Sequence, residues 1–511
     1  GVYGLDQRPT NNFGIRPSLN PFLEKLAAAD SLIVTWFGNP YGLENLSALQ
    51  KAGGLVLAYQ ENEFTEDLSA QLIFGGIGAS GTLPVSINEQ WPDGFGLNTS
   101  WNSRLQYGFP ESAGISSELL ERKIDSIAQS GIAAKAFPGC EVMVARKGVV
   151  VFQKTYGYHT YENRIPVMEN DLYDLASVTK VSSTLAGLML LQSQGKFTPD
   201  ETLGHYLPYF KNSNKGDIKM RDFLTHQAGL TAWIAFWKST VKNDGEFKRR
   251  VFDSEYSSKY PLEVAQGLYI NKNYRKRIFK EIKKSPVGEK KYLYSDLTFI
   301  IAPGIIENLT GQKWYEFVTD NIYHKIGAYD VGFNPYLKYN LTRIVPTEYD
   351  SLFRKQLLHG TVHDEGAAML GGISGHAGLF ATANDLMKLM ELYRRMGEYG
   401  GQQIIKREVM EEYTRVQFPE NKNRRGLGFD KPLLNNSEVS AKDAYPAASA
   451  SPSSFGHSGY TGTFVWVDPE YDLSYVFLCN RVYPTRENNK LSDMNIRSNI
   501  LQAVYDSITD K

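Results

Sequence analysis

Short apolar, β-branched runs punctuate the first hundred residues, at 31–37 (SLIVTWF) and 54–59 (GLVLAY). Each is followed by a helical pattern, over residues 43–51 and 65–74, and a glycine-rich stretch then leads to a third strand predicted over 82–87. Strand–helix–strand alternation implies parallel pairing in an α/β layer. Three strands make a small parallel sheet, so the segment reads as part of a domain.

Residues 88–112 hold Pro92, Gly94, Gly96 and Pro110 among several Asn and Ser, the composition of a linker. A different pattern begins at Ile115. A helix is predicted over 117–130, followed by two strand-like runs (CEVMVARKG and VVVFQKTYGY) around Lys147-Gly148, a hairpin signal. Near the C-terminus GTFVWVDPEYDLSYVFLCN predicts a second hairpin and residues 493–508 a closing amphipathic helix. Strands at both ends with helices between them predict one antiparallel sheet flanked by helices, with a helical region beside it. The expected architecture is therefore a small partial parallel α/β domain with its linker (residues 1–105), followed by an α+β domain (residues 106–511).

Composition adds bounds. A chain of 511 residues exceeds one ordinary core, and 42% hydrophobic with 22% charged residues is normal for a globular protein. A net charge of −1 gives no electrostatic reason to expect nucleic acid or a membrane surface as partner. No apolar run is long enough to span a bilayer. Cys140 and Cys479 each lie in an apolar strand-like run and are expected as buried free thiols. The chain opens with Gly1 rather than Met, as a processed product or an excised piece would, so a missing signal says nothing about export.

The chemistry begins at Ser177-Val178-Thr179-Lys180, which opens an apolar helix ending near Gly195. Residues three apart share a helix face, so the Lys180 amine can approach the Ser177 hydroxyl. A serine hydroxyl needs a neighbouring base to take its proton. Lys180 serves only if burial or a nearby cation lowers its pKa. The spacing alone is cheap: Ser239-Thr240-Val241-Lys242 repeats it in a polar stretch with no apolar helix after it. Tyr294-Ser295-Asp296 precedes a second apolar helix and offers a phenol for proton shuttling, although 31 tyrosines make such patterns common. His457-Ser458-Gly459 enters the last hairpin, where glycine lets a substrate backbone lie close and where the Tyr460 N–H joins that of Ser177 as a pair of oxyanion donors.

Taken in order and with their wide separations, these three motifs resemble those of the penicillin-recognising serine hydrolases. The likeness covers roughly residues 112–511 and is closest to the class C β-lactamase, D-aminopeptidase and esterase branch, which uses tyrosine in the middle motif. FPGCEVMVARKG, GYHTYENRIPV, FLTHQAGL, VHDEGAAMLGGISGHAGLFATANDL and NRVYPTRENN also look like that branch. The resemblance implies an acylated Ser177, proton handling by Lys180 and Tyr294, a substrate strand lined by His457 and Gly459, and oxyanion donors at Ser177 and Tyr460. Two positions depart from the β-lactamase pattern. Asp296 stands where asparagine is usual, placing a negative charge beside the cleft. His457 stands where β-lactamases carry lysine, and a mostly neutral histidine suits a β-lactam carboxylate poorly. That favours a peptidase or esterase over a true β-lactamase.

Residues 20–90 in turn resemble the end of the C-terminal α/β domain of glycoside hydrolase family 3, with SGTLPVSI the most specific stretch. The barrel that carries that family's catalytic carboxylates is not in this chain, so no glycosidase residue is assigned.

His363-Asp364-Glu365 with His376 has no familiar zinc spacing and is expected to shape the cleft rim. The nine basic residues between Lys272 and Lys291 are expected as a solvated helix face, and AYPAASASPSSFG before His457 as a mobile loop bordering the cleft. The expected function is a serine hydrolase acting through an acyl-enzyme on a small-molecule, peptide or ester substrate. Peptidoglycan fragments are candidate partners, no cofactor or metal is needed, and an upstream glycosidase domain is possible. Two other readings stand beside it: a catalytically silent peptidoglycan-binding or docking module, and a fragment of a β-N-acetylhexosaminidase fusion. The family likeness implies export to the periplasm or cell surface.

Overall fold

Ile33–Trp36 (β1) and Gly54–Leu57 (β2) pair in parallel, from Ile33 opposite Gly54 to Trp36 opposite Leu57. The computed structural model describes residues 1–510 except Asp30, Asn45 and Asn102; Lys511 also lies outside the described residues. Chain contacts divide it into two units, Gly1–Tyr107 and Gly108–Lys511.

In the first unit, Leu19–Ala29 (α1) precedes β1, and Glu63–Ile73 (α2) follows β2. Asn62 caps α2 by accepting from the Phe64 and Thr65 N–H groups, while the Thr65 hydroxyl accepts from the Asn62 N–H. Trp36, Leu43, Ala48, Leu49 and Ile87 form the centre of a small core. Two expectations fail here. The helical pattern over 43–51 folds as separate 3₁₀ turns, Pro40–Leu43 and Ser47–Lys51, with Asn45 outside the described residues. No third strand forms over 82–87. Pro84 offers no N–H; Leu83 exchanges bonds with the loop at Gly94 and Phe95, and the Ile87 amide bonds the Trp91 carbonyl.

The second unit begins with Ser117–Ala133 (α3), whose N-terminal Leu119 N–H is accepted by the Ser116 hydroxyl. Gly139–Arg146 (β3) and Val149–Gly157 (β4) form the expected hairpin. Lys147 and Gly148 both take positive φ, 53° and 84°, which a two-residue turn matched to strand twist requires. Phe455–Ser458 (β5), Phe464–Asp468 (β6) and Leu473–Cys479 (β7) run antiparallel, and β7 pairs along the whole of β3, from Leu473 opposite Arg146 to Cys479 opposite Cys140. The resulting order is β5-β6-β7-β3-β4. The predicted antiparallel sheet, joined by segments three hundred residues apart, is present. Both cysteines are free and buried.

Every residue of β7 is buried, because both sheet faces are covered. Val142, Val144, Tyr475 and Phe477 share one core with Leu120 and Ile124 of α3 and Val504 and Tyr505 of the closing helix Ile496–Asp506 (α8). Ala383–Arg394 (α7) packs against β7 from the remaining side. The helical region between the two ends contributes Leu185–Ser193 (α4), Tyr274–Lys284 (α5) and Leu297–Ile301 (α6). Helix α5 buries Tyr274, Ile278 and Ile282 and turns its basic residues outward. The loop expected to be mobile is instead pinned. The Ser451 N–H and hydroxyl both donate to Asp468, at 2.9 and 2.6 Å, and the Ser449 N–H donates to Gln502.

Candidate active site

Tyr173–Asp174 lies antiparallel to Leu379–Ala381 and delivers the chain to Ser177. The Asp174 carboxylate accepts from the Ala176 N–H at 2.8 Å and from the His363 N–H at 2.6 Å. That turn holds Ala176 at φ 45°, a conformation a residue with a Cβ rarely adopts. The chain reverses sharply and Ser177 stands at the mouth of the following helix. A single π-turn, Lys180–Thr184, leads into α4, whose residues Leu185 to Leu191 are all buried. A helix apolar on every side is one embedded in a core, so the sequence that made α4 apolar also fixes the base of the site.

The Lys180 Nζ is fully buried and meets three acceptors: Ser177 Oγ at 2.7 Å, Asp296 Oδ1 at 2.8 Å and the His376 carbonyl at 3.0 Å. Burial is the largest single influence and works to lower its pKa, yet the Asp296 carboxylate and Tyr294 together outweigh it and the net shift is upward. The sequence expectation of a lysine made basic by burial therefore meets its opposite: Asp296 holds Lys180 as the ammonium. Asp296 itself is fixed at the start of α6, where its own N–H donates to the Ala232 carbonyl and the Ser295 hydroxyl donates to that of Thr231.

Tyr294 lies beside this pair, half-buried, with its hydroxyl oxygen shielded from solvent. Its ring centroid lies 5.2 Å from the Lys180 Nζ, 4.4 Å from the His226 ring and 6.1 Å from the His457 ring. The phenol Oη makes no hydrogen bond among the described residues, and the same holds for His226 Nε2 and His457 Nε2. Three unpaired ring heteroatoms around one tyrosine are a costly arrangement for stability and a usual mark of a working site. Burial raises the Tyr294 pKa despite the opposing charges of Lys180 and Arg425. Burial, then Arg425 and Lys180, push His457 down to about 3, so it is neutral at working pH. Its Nδ1 lies 2.8 Å from the Ser458 carbonyl, which assigns the proton there and leaves Nε2 as a bare acceptor.

The oxyanion donors expected at Ser177 and Tyr460 fall at one junction. Thr461 Oγ1 donates to the Asp174 carbonyl at 2.7 Å and Thr463 Oγ1 to the Leu175 carbonyl at 2.9 Å, binding the turn after β5 to the residues that precede Ser177. Neither the Ser177 nor the Tyr460 amide bonds within the described protein. Gly459 is forced by proximity: a Cβ there would lie 2.1 Å from Thr463 Oγ1 and 2.5 Å from the Leu175 carbonyl oxygen.

Ser177, Lys180, Tyr294, Asp296, His457, Gly459 and Tyr460 are thus gathered about one cleft. In the second Ser-x-x-Lys, Ser239 bonds Tyr274 and the Phe236 carbonyl, while Lys242 pairs with Glu246. His363 and His376 are spent on carboxylates, His363 on Glu348 and His376 on Asp364, and no group of three His, Cys, Asp or Glu side chains among the described residues is placed to hold a metal ion. The Asp364–His376 pair, 2.8 Å long, sits directly behind the carbonyl that receives Lys180.

Sequence reasoning missed two contributors. His226, inside the FLTHQAGL stretch, stacks on Tyr294 and accepts the Ser295 N–H through Nδ1 at 3.2 Å. Arg425 lies with its Cζ 5.3 Å from the Tyr294 ring. Arg424 and Arg425 both face the single carboxylate of Asp430, at 3.0 and 3.6 Å, so one guanidinium charge stays unbalanced beside His457. Only the RR pair at 424–425 could have signalled this.

A sequence model of the beta-lactamase family matches residues 124–495, most of the second unit. The chain belongs to the beta-lactamase family. Among curated relatives, a "Putative D-alanyl-D-alanine carboxypeptidase" of Escherichia coli (strain K12) is 28% identical over 431 residues, covering 79% of this chain and 92% of the relative. One of the same description from Salmonella typhi is 30% identical over 428 residues, with the same coverage. Solved structures share the fold. The hydrolase EstCE1, with promiscuous acyltransferase activity, superposes at TM-score 0.55 and 20% identity over 76% of this chain and 99% of its own. A penicillin-binding protein homologue from Caulobacter crescentus does so at 0.54 and 16% over 77% and 99%. This beta-lactamase-family chain is accordingly a serine hydrolase of the penicillin-binding-protein type, and among the described residues no helix is long and apolar enough to cross a membrane.

Proposed function

We propose that Ser177 is the nucleophile of an acyl-transfer hydrolase that cleaves a peptide, amide or ester of the cell-wall kind, and that the preferred donor carries a carboxylate. The carrying observation is the 2.7 Å contact between Ser177 Oγ and the buried Lys180 Nζ, made where two unengaged amides meet. Lys180 and Tyr294 handle the proton, and Ser177 and Tyr460 receive the oxyanion; such donors are worth about 3 kcal/mol each. The neutral His457 cannot hold a substrate carboxylate by charge. The unbalanced guanidinium of the Arg424–Arg425–Asp430 group supplies a positive field at that end of the cleft. The relatives described as D-alanyl-D-alanine carboxypeptidases favour the same donor class.

The first unit reads as the end of a glycoside hydrolase family 3 C-terminal domain, supported by its β1–β2 parallel pair and the SGTLPVSI stretch, with a glycosidase domain upstream in the parent protein. Peptidoglycan fragments as substrates, and a place in the periplasm or at the cell surface, are read from the family likeness.

Labelling with a fluorescent penicillin or a fluorophosphonate, followed by intact mass, tests the acyl-enzyme. Mass addition to the wild type and to Ser239→Ala, but not to Ser177→Ala, is the expected result. Failure of both probes on the wild type overturns the reading.

A further inference from the structure

The three contacts of the Lys180 Nζ pose a problem that the family motif does not solve. An ammonium has three N–H donors and no lone pair, and all three are used: on Ser177 Oγ, Asp296 Oδ1 and the His376 carbonyl. In that state Lys180 cannot accept the proton that Ser177 must lose. Tyr294 does not replace it, because a buried phenol with a raised pKa is protonated at working pH. His226 and His457 are not bonded to Ser177, their ring nitrogens being taken by Ser295 N–H and by the Ser458 carbonyl or left unpaired. The remaining basic atom in line with Nζ is the Asp296 carboxylate, whose side chain is 20% exposed while the Lys180 side chain is fully buried.

We propose that Asp296 is a catalytic proton acceptor, which unmasks Lys180 by taking one of its protons when substrate closes the cleft. The inference rests on the acyl-enzyme reading above. Bound substrate excludes water from Asp296, and a dry site penalises two separated charges relative to a neutral acid–amine pair. The Nζ–H bond breaks and an Oδ1–H bond forms. The neutral amine then donates to Asp296 and His376 and turns its lone pair to Ser177. Nζ takes the Oγ proton as Oγ bonds the acyl carbon, and the carbonyl π pair moves onto oxygen, facing the Ser177 and Tyr460 amides. On collapse that pair returns, the bond to the leaving nitrogen or oxygen breaks, and the leaving atom takes a proton from Lys180, directly or through the Tyr294 hydroxyl. Asp296 returns its proton to Nζ. The net change is one acyl group onto Ser177 and one proton onto the leaving group.

The groups facing the pair are Ser177, Tyr294, Arg425, His226 and His457, with Asp364–His376 behind. None of the histidines facing it gains a proton near neutrality, so the pair sets the acidic limb of acylation.

The test is the pH dependence of fluorophosphonate labelling at Ser177, followed by intact mass, for wild type, Asp296→Asn and Asp296→Glu, with folding checked by circular dichroism. The wild type sets the reference limb, the pH at which labelling falls on the acid side. In Asp296→Asn the limb becomes that of Lys180 itself and moves up by at least about two pH units, the rate recovering in alkali. Asp296→Glu keeps the wild-type limb. An unmoved limb in folded Asp296→Asn, or inactivity at every pH, overturns the proposal. If Asp296→Asn does not fold, Asp296→Glu carries the test: labelling along the wild-type pH profile supports the proposal, and a folded Asp296→Glu that labels at no pH overturns it. No labelling of wild-type Ser177 at any pH sinks the acyl-enzyme reading instead, which keeps the two failures distinct.

Discussion

The hydroxyl of Thr463 donates to the carbonyl of Leu175 at 2.9 Å, so the turn between β5 and β6 is buttoned to the residue pair that launches Ser177. Gly459 is the close-fitting member of that contact. In Gly459→Ala the new methyl meets Thr463 Oγ1 and the Leu175 carbonyl and must displace one of them. A loss of about 1–3 kcal/mol in stability is expected from the overpacking, with a tenfold or greater fall in labelling rate if the Ser177 and Tyr460 amides, which hang from the same junction, receive the oxyanion as proposed. Thermal melts and labelling kinetics on the same sample check it; unchanged kinetics would separate the junction from the chemistry.

Tyr294→Phe should divide stability from activity. The lost hydroxyl has no hydrogen-bond partner among the described residues, while the ring packed on His226 is kept. Removing an unsatisfied buried hydroxyl leaves stability within about 1 kcal/mol or raises it. Acylation is expected to fall about 10²–10⁴-fold if the phenol carries protons to the leaving group. A variant that melts early but labels normally would assign Tyr294 to packing alone.

His457 makes the folded protein sensitive to acid. Its pKa is depressed in the folded state, to about 3, so the unfolded chain binds the extra proton first as pH falls. The stability it contributes is fully present above about pH 6.5 and is lost progressively toward pH 3. Between pH 6.5 and 5 the loss amounts to about 2 kcal/mol. His226, shifted in the same direction by burial and by Arg425, adds to the effect. Urea melts at pH 7, 6 and 5 should show a shallower decline for His457→Gln than for wild type. Parallel declines would mean that His457 is solvated.

Asp364 supports Lys180 from behind. Burial opposes its charge, but the His376 side chain and the Ala367 N–H hold its carboxyl far below the usual range. Asp364→Asn removes the charge from a pair whose carboxylate is partly exposed, and a loss of about 1–3 kcal/mol is expected from the weakened hydrogen bonds. It should also slow labelling, because the His376 carbonyl is one of the three acceptors of Nζ. Denaturant midpoints and labelling rates measure both effects; a stable variant with a slow Ser177 would show that the pair acts through Lys180 alone.

The elements that periodicity encodes were legible. The β3–β4 hairpin follows from two β-rich runs around Lys147-Gly148, and α4 from a run apolar on every face. Ser177 could be told from Ser239 by that helix alone. The third strand expected over 82–87 does not form, and Pro84 in its middle has no N–H to give to a ladder. Asp296 was read as a charge beside the cleft. Its true partner, Lys180, is set by a tertiary contact between residues 116 positions apart, which no local pattern records. His226 and Arg425 were invisible for the same reason: single buried polar residues carry no period.

One consequence of the sheet order concerns the making of the protein. β3 pairs with β7, so a strand completed at Arg146 waits until residue 473 emerges from the ribosome before its edge is covered. During that interval the β3–β4 hairpin offers bare backbone and a face of Val142 and Val144, the kind of surface that holdase chaperones recognise. Thr461 and Thr463 arrive with the same late segment, so the loop bearing Ser177 is synthesised early and secured last. A ribosome-stalled chain ending before residue 455 should carry the serine, the lysine and the tyrosine and still be inert.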